Sequence, residues 1–253
     1  MCNDNLTDPP LVRGARRGAA WASRALLLLL TTLALAPAEA RSQEVDTDQT
    51  GAWYMLFWTA GLGDSPWGFQ GDVQWRNWDL GGDLEQLLLR GGLTYQPESL
   101  PLLLTAGAAH VTSGEFGEGD ETSTEARVYQ EALLRQPLGS FAFLRHRYRF
   151  EQRWVEGQDF RTRFRYALFV DVPLNGRGTG QGAIYLALYD EVFINGELSI
   201  GDNRVVQRFD RNRLYGALGY GLSDRYKLQG GYMLQTLTNG SKGQIQLSLH
   251  AAF

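Results

Sequence analysis

Arginines recur at every second position through the middle of this chain. Arg145, Arg147, Arg149 and Arg153 alternate through one segment with Glu151 among them, and Arg161, Arg163 and Arg165 do so in the next. Arg127, Glu131 and Arg135 precede them on the same spacing; Glu191, Arg211 and Arg213 follow. Two chemistries suit such a set. Guanidinium forks match the oxygens of phosphate and carboxylate, so the file can line an electropositive passage or pocket for small anions. The interleaved carboxylates, with Asp171, can instead neutralise arginines about 5 Å away on neighbouring strands, which makes a structural ion-pair network. The network is the plainer reading, because a narrow barrel holds little beyond side chains. Arginines outnumber carboxylates on these segments, and that excess keeps the anion reading in play.

Other chemistry has thinner support. The histidines are His110, His146 and His250. His110 stands near Thr112 and Ser113 and is the least poor candidate for a Ser–His hydrolase at a barrel rim. His146 falls on an apolar face. Ser248 shares a face with His250, but residues two apart on a strand lie about 6–7 Å from each other, too far for a direct hydrogen bond without favourable rotamers. No nucleophile elbow, zinc helix, phosphate loop or dinucleotide fingerprint accompanies them, so no catalytic residue is assigned and the chain is read as not an enzyme. Three scattered histidines make no metal set. Glu115, Glu118, Asp120 and Glu121 lack the alternating spacing of a calcium loop and read as solvated. Neither metal nor cofactor is expected.

The elements that hold the arginines are strands. Side chains alternate with period two along a strand, and this pattern has no helical reading. Opposite the arginines of Phe141–Val155 lie Leu144, His146, Tyr148, Phe150 and Trp154; opposite those of Phe160–Val172 lie Phe164, Tyr166, Leu168 and Val170. Val155 to Asp159 is the turn between them. A solvated strand face does not carry a file of arginines. In a soluble sandwich the apolar face would be the core; in an outer-membrane barrel it meets lipid and the charged face lines the lumen. Trp67, Trp75, Trp78, Trp154, Tyr220 and Tyr232 would then form aromatic girdles at the two interfaces.

The N-terminus favours the barrel. Arg13, Arg16, Arg17 and Arg24 precede an apolar run from Ala25 to Ala36, then Pro37 and Ala38-Glu39-Ala40. That is the order of a secretory signal peptide, spanning 1–40, and the run falls short of the roughly twenty residues of a spanning helix. Residues 41–51 are polar and read as a disordered periplasmic segment, leaving 52–253 as one barrel domain. Cys2 is the lone cysteine, so the mature chain has no disulfide. The formal charge of −4 argues against a nucleic-acid surface.

Further segments alternate at Gly68–Trp78, Glu125–Gln136, Ala183–Phe193, Arg211–Gly221 and Arg225–Leu237. In the last strand Ile245, Leu247, Leu249 and Phe253 share an apolar face, like the C-terminal signal read by outer-membrane barrel-assembly machinery. Eleven segments read as strands. A closed antiparallel barrel with both termini in the periplasm requires an even number, so the expectation is ten to twelve, twelve preferred. Either the weakly alternating Trp53 segment stands outside the barrel or a strand lies within Asn195–Phe209.

Several motifs resemble an outer-membrane β-barrel family of unknown function, the domain-of-unknown-function 2490 family. They are Trp53, Glu125-Ala126-Arg127 with Gln130, Arg147-Tyr148-Arg149-Phe150-Glu151-Gln152-Arg153, Arg163-Phe164-Arg165-Tyr166, Tyr189-Asp190-Glu191-Val192-Phe193-Ile194-Asn195, Arg211-Asn212-Arg213 and Gly231-Tyr232-Met233-Leu234-Gln235. The resemblance implies a location and a fold, and carries no activity or substrate. The expectation is therefore an all-β, single antiparallel transmembrane barrel in the outer membrane of a Gram-negative bacterium. Its partners would be membrane lipid, the assembly machinery and a small anion. A lipid-modifying enzyme and a soluble periplasmic β-sandwich or lipocalin-like carrier are the rivals.

Overall fold

Eleven strands follow one another along the chain of the computed structural model, which describes residues 50–117, 119 and 121–253. They are β1 (Thr50–Gly61), β2 (Trp67–Asn77), β3 (Leu84–Tyr95), β4 (Leu102–Gly114), β5 (Thr122–Leu138) and β6 (Ala142–Val155). After these come β7 (Arg161–Pro173), β8 (Ile184–Asn195), β9 (Phe209–Gly221), β10 (Tyr226–Leu237) and β11 (Gly240–Ala252). The signal peptide expected at 1–40 lies outside the described residues, as does the segment after it up to residue 49; Thr50 and Gly51 already belong to β1.

Each strand pairs antiparallel with the next, and the sheet closes where β1 meets β11 in parallel, from Thr50↔Gly243 to Thr59↔Ala252. This corrects the even-number expectation. The parity rule assumed antiparallel closure, and a parallel seam admits eleven strands without an extra one. The Trp53 segment is a full barrel strand, and the 196–208 connection holds only the isolated bridge Ser199↔Val205. Because the seam is parallel, Thr50 and Phe253 lie at opposite rims. The Thr50 rim also carries the turns 78–83, 156–160 and 238–239, the 196–208 connection and the facing ends of β4 and β5.

Alternation sorts the side chains as the sequence implies, with the apolar ones outside. Phe69, Trp75, Leu93, Tyr148, Trp154, Phe164, Leu218, Tyr232 and Leu247 are exposed, whereas Arg149, Glu151, Arg163 and Glu191 are buried. A soluble sandwich is excluded by closure, and its assignment of the aromatic faces to a core is reversed. Cross-strand rings reinforce the outer wall: Phe150–Phe164 at 4.8 Å, Tyr148–Tyr166 at 5.1 Å and Trp154–Phe160 at 5.2 Å between centroids. Such pairs each contribute on the order of 0.5–1 kcal/mol. Polar groups on this wall bond to one another: His146 lies between Tyr166 Oη at 2.9 Å and Gln136 at 3.1 Å, and Gln130 donates to Gln152 at 3.3 Å.

Inside, two tyrosines lie on cross-strand glycines. Tyr129 faces Gly107, and Tyr185 faces Gly219. A Cβ on Gly219 would stand 2.2 Å from the Tyr185 ring, so only glycine lets the ring lie flat there. The turn between β6 and β7 uses Gly157 at φ 66°, a left-handed conformation that glycine enters without steric cost.

Candidate anion-binding lumen

Five adjacent strands, β5 to β9, bring the arginine files together. Three rows of cross-strand neighbours matter. Arg127, Arg153 and Arg161 form one row near the Thr50 rim. Glu131, Arg149, Arg165 and Phe193 form the middle row. Arg135 and Arg145 form a third near the Phe253 rim. Like charges directly opposite on a sheet repel, so each row needs carboxylates from elsewhere.

The middle row receives them. Glu151, 2 % exposed, accepts from Arg163 Nε at 2.9 Å and Nη2 at 2.6 Å and from Arg165 Nη1 at 2.6 Å. Glu191 accepts from Arg165 Nη2 and Arg147 Nη2, both at 2.7 Å, and Glu131 accepts from Arg149 Nε at 2.7 Å. At the Phe253 rim Asp171 takes Arg145 at 2.8 Å, while Arg135 is exposed and among the described residues reaches only Gln96 at 3.4 Å. Arg135 is thus a rim residue and not part of the buried network.

Two carboxylates reach the lumen by a device that the alternation conceals. Arg76 pairs with Gln86 but Asn77 with Leu84, which leaves Glu85 as the extra residue of a bulge. Phe193 pairs with Arg211 but Ile194 with Phe209, which leaves Asp210 extra in the same way. A bulge re-aims one side chain. Asp210 thereby takes Arg163 at 3.0 Å and Arg211 at 3.2 Å; Glu85 takes the Trp53 indole N–H at 3.1 Å and lies 3.6 Å from Lys242 Nζ. Sequence reasoning also missed Asp72 with Arg90, and Glu125. Glu125 grips Arg127 at 2.6 Å through both oxygens and Arg153 at 2.5 and 3.0 Å. Its Glu-x-Arg spacing on one strand face was the available signal.

A stack of cations and rings crosses the interior. Trp53, 2 % exposed, lies between the Arg76 guanidinium at 4.0 Å and that of Arg213 at 4.8 Å. Arg213 also covers Phe193 at 4.8 Å, whose ring takes Arg165 at 4.4 Å as well. These groups come from β2, β1, β9, β8 and β7, so the row runs from one wall to the other. Tyr189 Oη, on β8, meets Gln246 of β11 at 3.3 Å beside it. Arg211 and Arg213 hence belong to the lumen, as their spacing predicts, but Arg213 works through rings and a bond to Gln235 at 2.9 Å, with no carboxylate bonded to it among the described residues.

The histidines separate. His110 points outward into a shallow trough of about 510 Å³ that also holds Trp58, Gly91, Ala108 and Trp154, whereas Ser113 points inward and accepts from Gln86 at 3.1 Å. His110 and Ser113 are therefore not brought together. Ser248 Oγ lies 3.0 Å from His250 Nε2, so the rotamers that spacing alone disfavoured are adopted. The His250 ring stacks on Phe57 at 4.9 Å, and no carboxylate orients it among the described residues. No group of His, Cys, Asp and Glu that would hold a metal occurs among the described residues.

Outside the strands, Glu197 ties the 196–208 connection to β7. It accepts from the hydroxyl of Thr162 at 2.7 Å and from its amide, and these bonds hold its carboxyl below the usual range. Asp159 N donates to Ile200 O at 3.1 Å, so the connection leans on the β6–β7 turn.

Among known proteins, a family model described as a protein of unknown function, DUF2490, matches residues 50–246. No curated protein and no solved structure matches the chain.

Proposed function

The chain belongs to the DUF2490 family, and from that premise we propose that it is a barrel of the outer membrane of a Gram-negative bacterium, with a lumen that binds small anions in place of conducting them. One observation carries the location: large apolar side chains stand exposed around the outer wall while guanidiniums and carboxylates are buried within. That distribution inverts a soluble carrier and suits a barrel whose outer face meets acyl chains. Its partners are membrane lipid and, for insertion, the assembly machinery that reads the Ile245–Leu247–Leu249 face and Phe253. The transverse row Arg76–Trp53–Arg213–Phe193–Arg165 supports binding over passage, since it leaves ring and guanidinium where a conduit would run.

Two measurements test this. The protein should stay in the membrane pellet through salt and carbonate and migrate faster on gels unheated than heated; release by carbonate sinks the location. In planar bilayers the refolded wild type should show no steady channel; open, cation-preferring channels would sink the anion-binding lumen.

A second reading rests on the Ser248–His250 contact: hydrolysis of an acyl ester at the Phe253 rim. Deacylation of lipid by the refolded protein, lost on Ser248→Ala, would favour it over the first.

A further inference from the structure

The lumen arginines are neutralised unevenly, and the unevenness falls on one residue. Arg161 is 8 % exposed and points inward beside Arg153. Its Nε is buried without a hydrogen-bond partner, and no carboxylate of the described residues lies within ion-pair distance of it. The two carboxylates whose charge acts on it are engaged elsewhere, Glu125 by Arg127 and Arg153, Asp210 by Arg163 and Arg211. Five guanidiniums, Arg127, Arg153, Arg161, Arg163 and Arg211, thus share Glu125, Asp210 and, through Arg163 alone, Glu151. A guanidinium whose Nε is buried without a partner and whose charge has no carboxylate of its own is costly, and folded proteins pair such groups or hold an ion beside them.

We infer that Arg161, with Arg153 and Arg127 in the same row, forms a site at the Thr50 rim for a phosphate-class oxyanion, free or carried on a lipid headgroup. This rests on the anion-binding reading of the lumen and gives that reading its ligand class and its place. A dianionic tetrahedral group suits the mouth for two reasons. It offers several acceptor oxygens to donors that approach from different strands, and its charge matches more than one surplus cation. Glu125 stands against the site as a carboxylate; it orients Arg127 and Arg153 and leaves Arg161 as the open fork. The 196–208 connection, which leans on the 156–160 turn next to Arg161, edges the same mouth.

The test is binding to the refolded full-length barrel in detergent, by calorimetry at constant ionic strength. Inorganic phosphate is titrated in one arm, with chloride as the blank. Vesicles of phosphatidylcholine with and without phosphatidic acid serve in the other, with the barrel reconstituted. Saturable binding of phosphate marks a site for the free ion; binding confined to phosphatidic acid marks the headgroup. Either result must weaken by at least about tenfold in Arg161→Gln, must weaken in Arg161→Lys, which keeps the charge but loses the fork, and must persist in Arg225→Gln at the far rim. The urea resistance of Arg161→Gln in phosphate-free buffer should equal or exceed wild type, because the change removes an uncompensated cation. Wild type blind to both probes overturns the site, as does Arg161→Gln that binds like wild type, or one that is less stable with unchanged binding. The sedimentation and bilayer measurements are independent of these, so a failed site leaves the location standing.

Discussion

Glu151→Gln tests most directly whether the middle row is an obligate ion cluster. The substitution keeps shape and one acceptor oxygen but deletes the charge that three guanidinium N–H groups address at 2.6–2.9 Å. Arg163 retains Asp210 and Arg165 retains Glu191, so neither is orphaned; each loses half its compensation. Removing one partner of a buried pair costs about 3–5 kcal/mol, and with these second partners the low end applies, about 3 kcal/mol. That is a shift of about a hundredfold in the unfolding equilibrium. Reversible urea unfolding in phospholipid vesicles, followed by tryptophan fluorescence, reads it. Arg165→Gln on the Glu151→Gln background should recover about 1 kcal/mol or more, since the pair is then absent from both sides. A single variant within about 0.5 kcal/mol of wild type, with no coupling to Arg165, would refute the claim that these charges hold each other in place.

Trp53→Ala should do two things at once: cost about 3–5 kcal/mol in the same unfolding assay and produce bilayer channels where wild type has none, because the ring between Arg76 and Arg213 is gone. A silent bilayer with that variant would mean that the transverse stack is not the obstruction. Gly219→Ala forces the Tyr185 ring off its floor and should destabilise by about 1–3 kcal/mol, while the double change with Tyr185→Leu should recover part of it; an innocuous single change would refute the packing account. For Glu197 the carboxyl is held low by Thr162, so the tether contributes while the group is charged and is lost as pH falls through that lowered value. Exchange protection of the Thr162 amide should therefore drop in acid, and Glu197→Gln should remove the drop; protection that ignores pH contradicts it.

The faces of β5, β6, β7, β10 and β11 are legible because most of one parity is charged, polar or small and most of the other greasy; β8, with Tyr185, Tyr189 and Phe193 inward, is marked mainly by Glu191 among them. Arg145 to Arg153 and Arg161 to Arg165 went where the period put them. β1 resisted for a physical reason: at its level the lumen is lined by Trp53, so both faces of the strand are aromatic and no alternation shows. β3 resisted in the same way, since Leu88 is buried on the inward side. Glu85 and Asp210 were hidden because a bulge shifts parity by one residue, and nothing local in the sequence announces it. Eleven segments are countable in the sequence, and the even-number rule that counts against eleven presumes an antiparallel closure, which the parallel seam does not have. Arg161 looked like any other member of its file; its isolation is a fact of three-dimensional accounting.

The seam itself bears on how the molecule is made. Ten of its eleven strand contacts join sequence neighbours and can zip up hairpin by hairpin, but the eleventh must bring together stretches from opposite ends of the barrel sequence. Closing so long a loop is the entropically dearest step, and until it occurs the sheet keeps two raw borders of unpaired amides and carbonyls. Assembly should thus pass through a curled, unfinished ribbon whose last event is the mating of β1 with β11, and a cut or a proline there would leave an otherwise complete wall unable to shut.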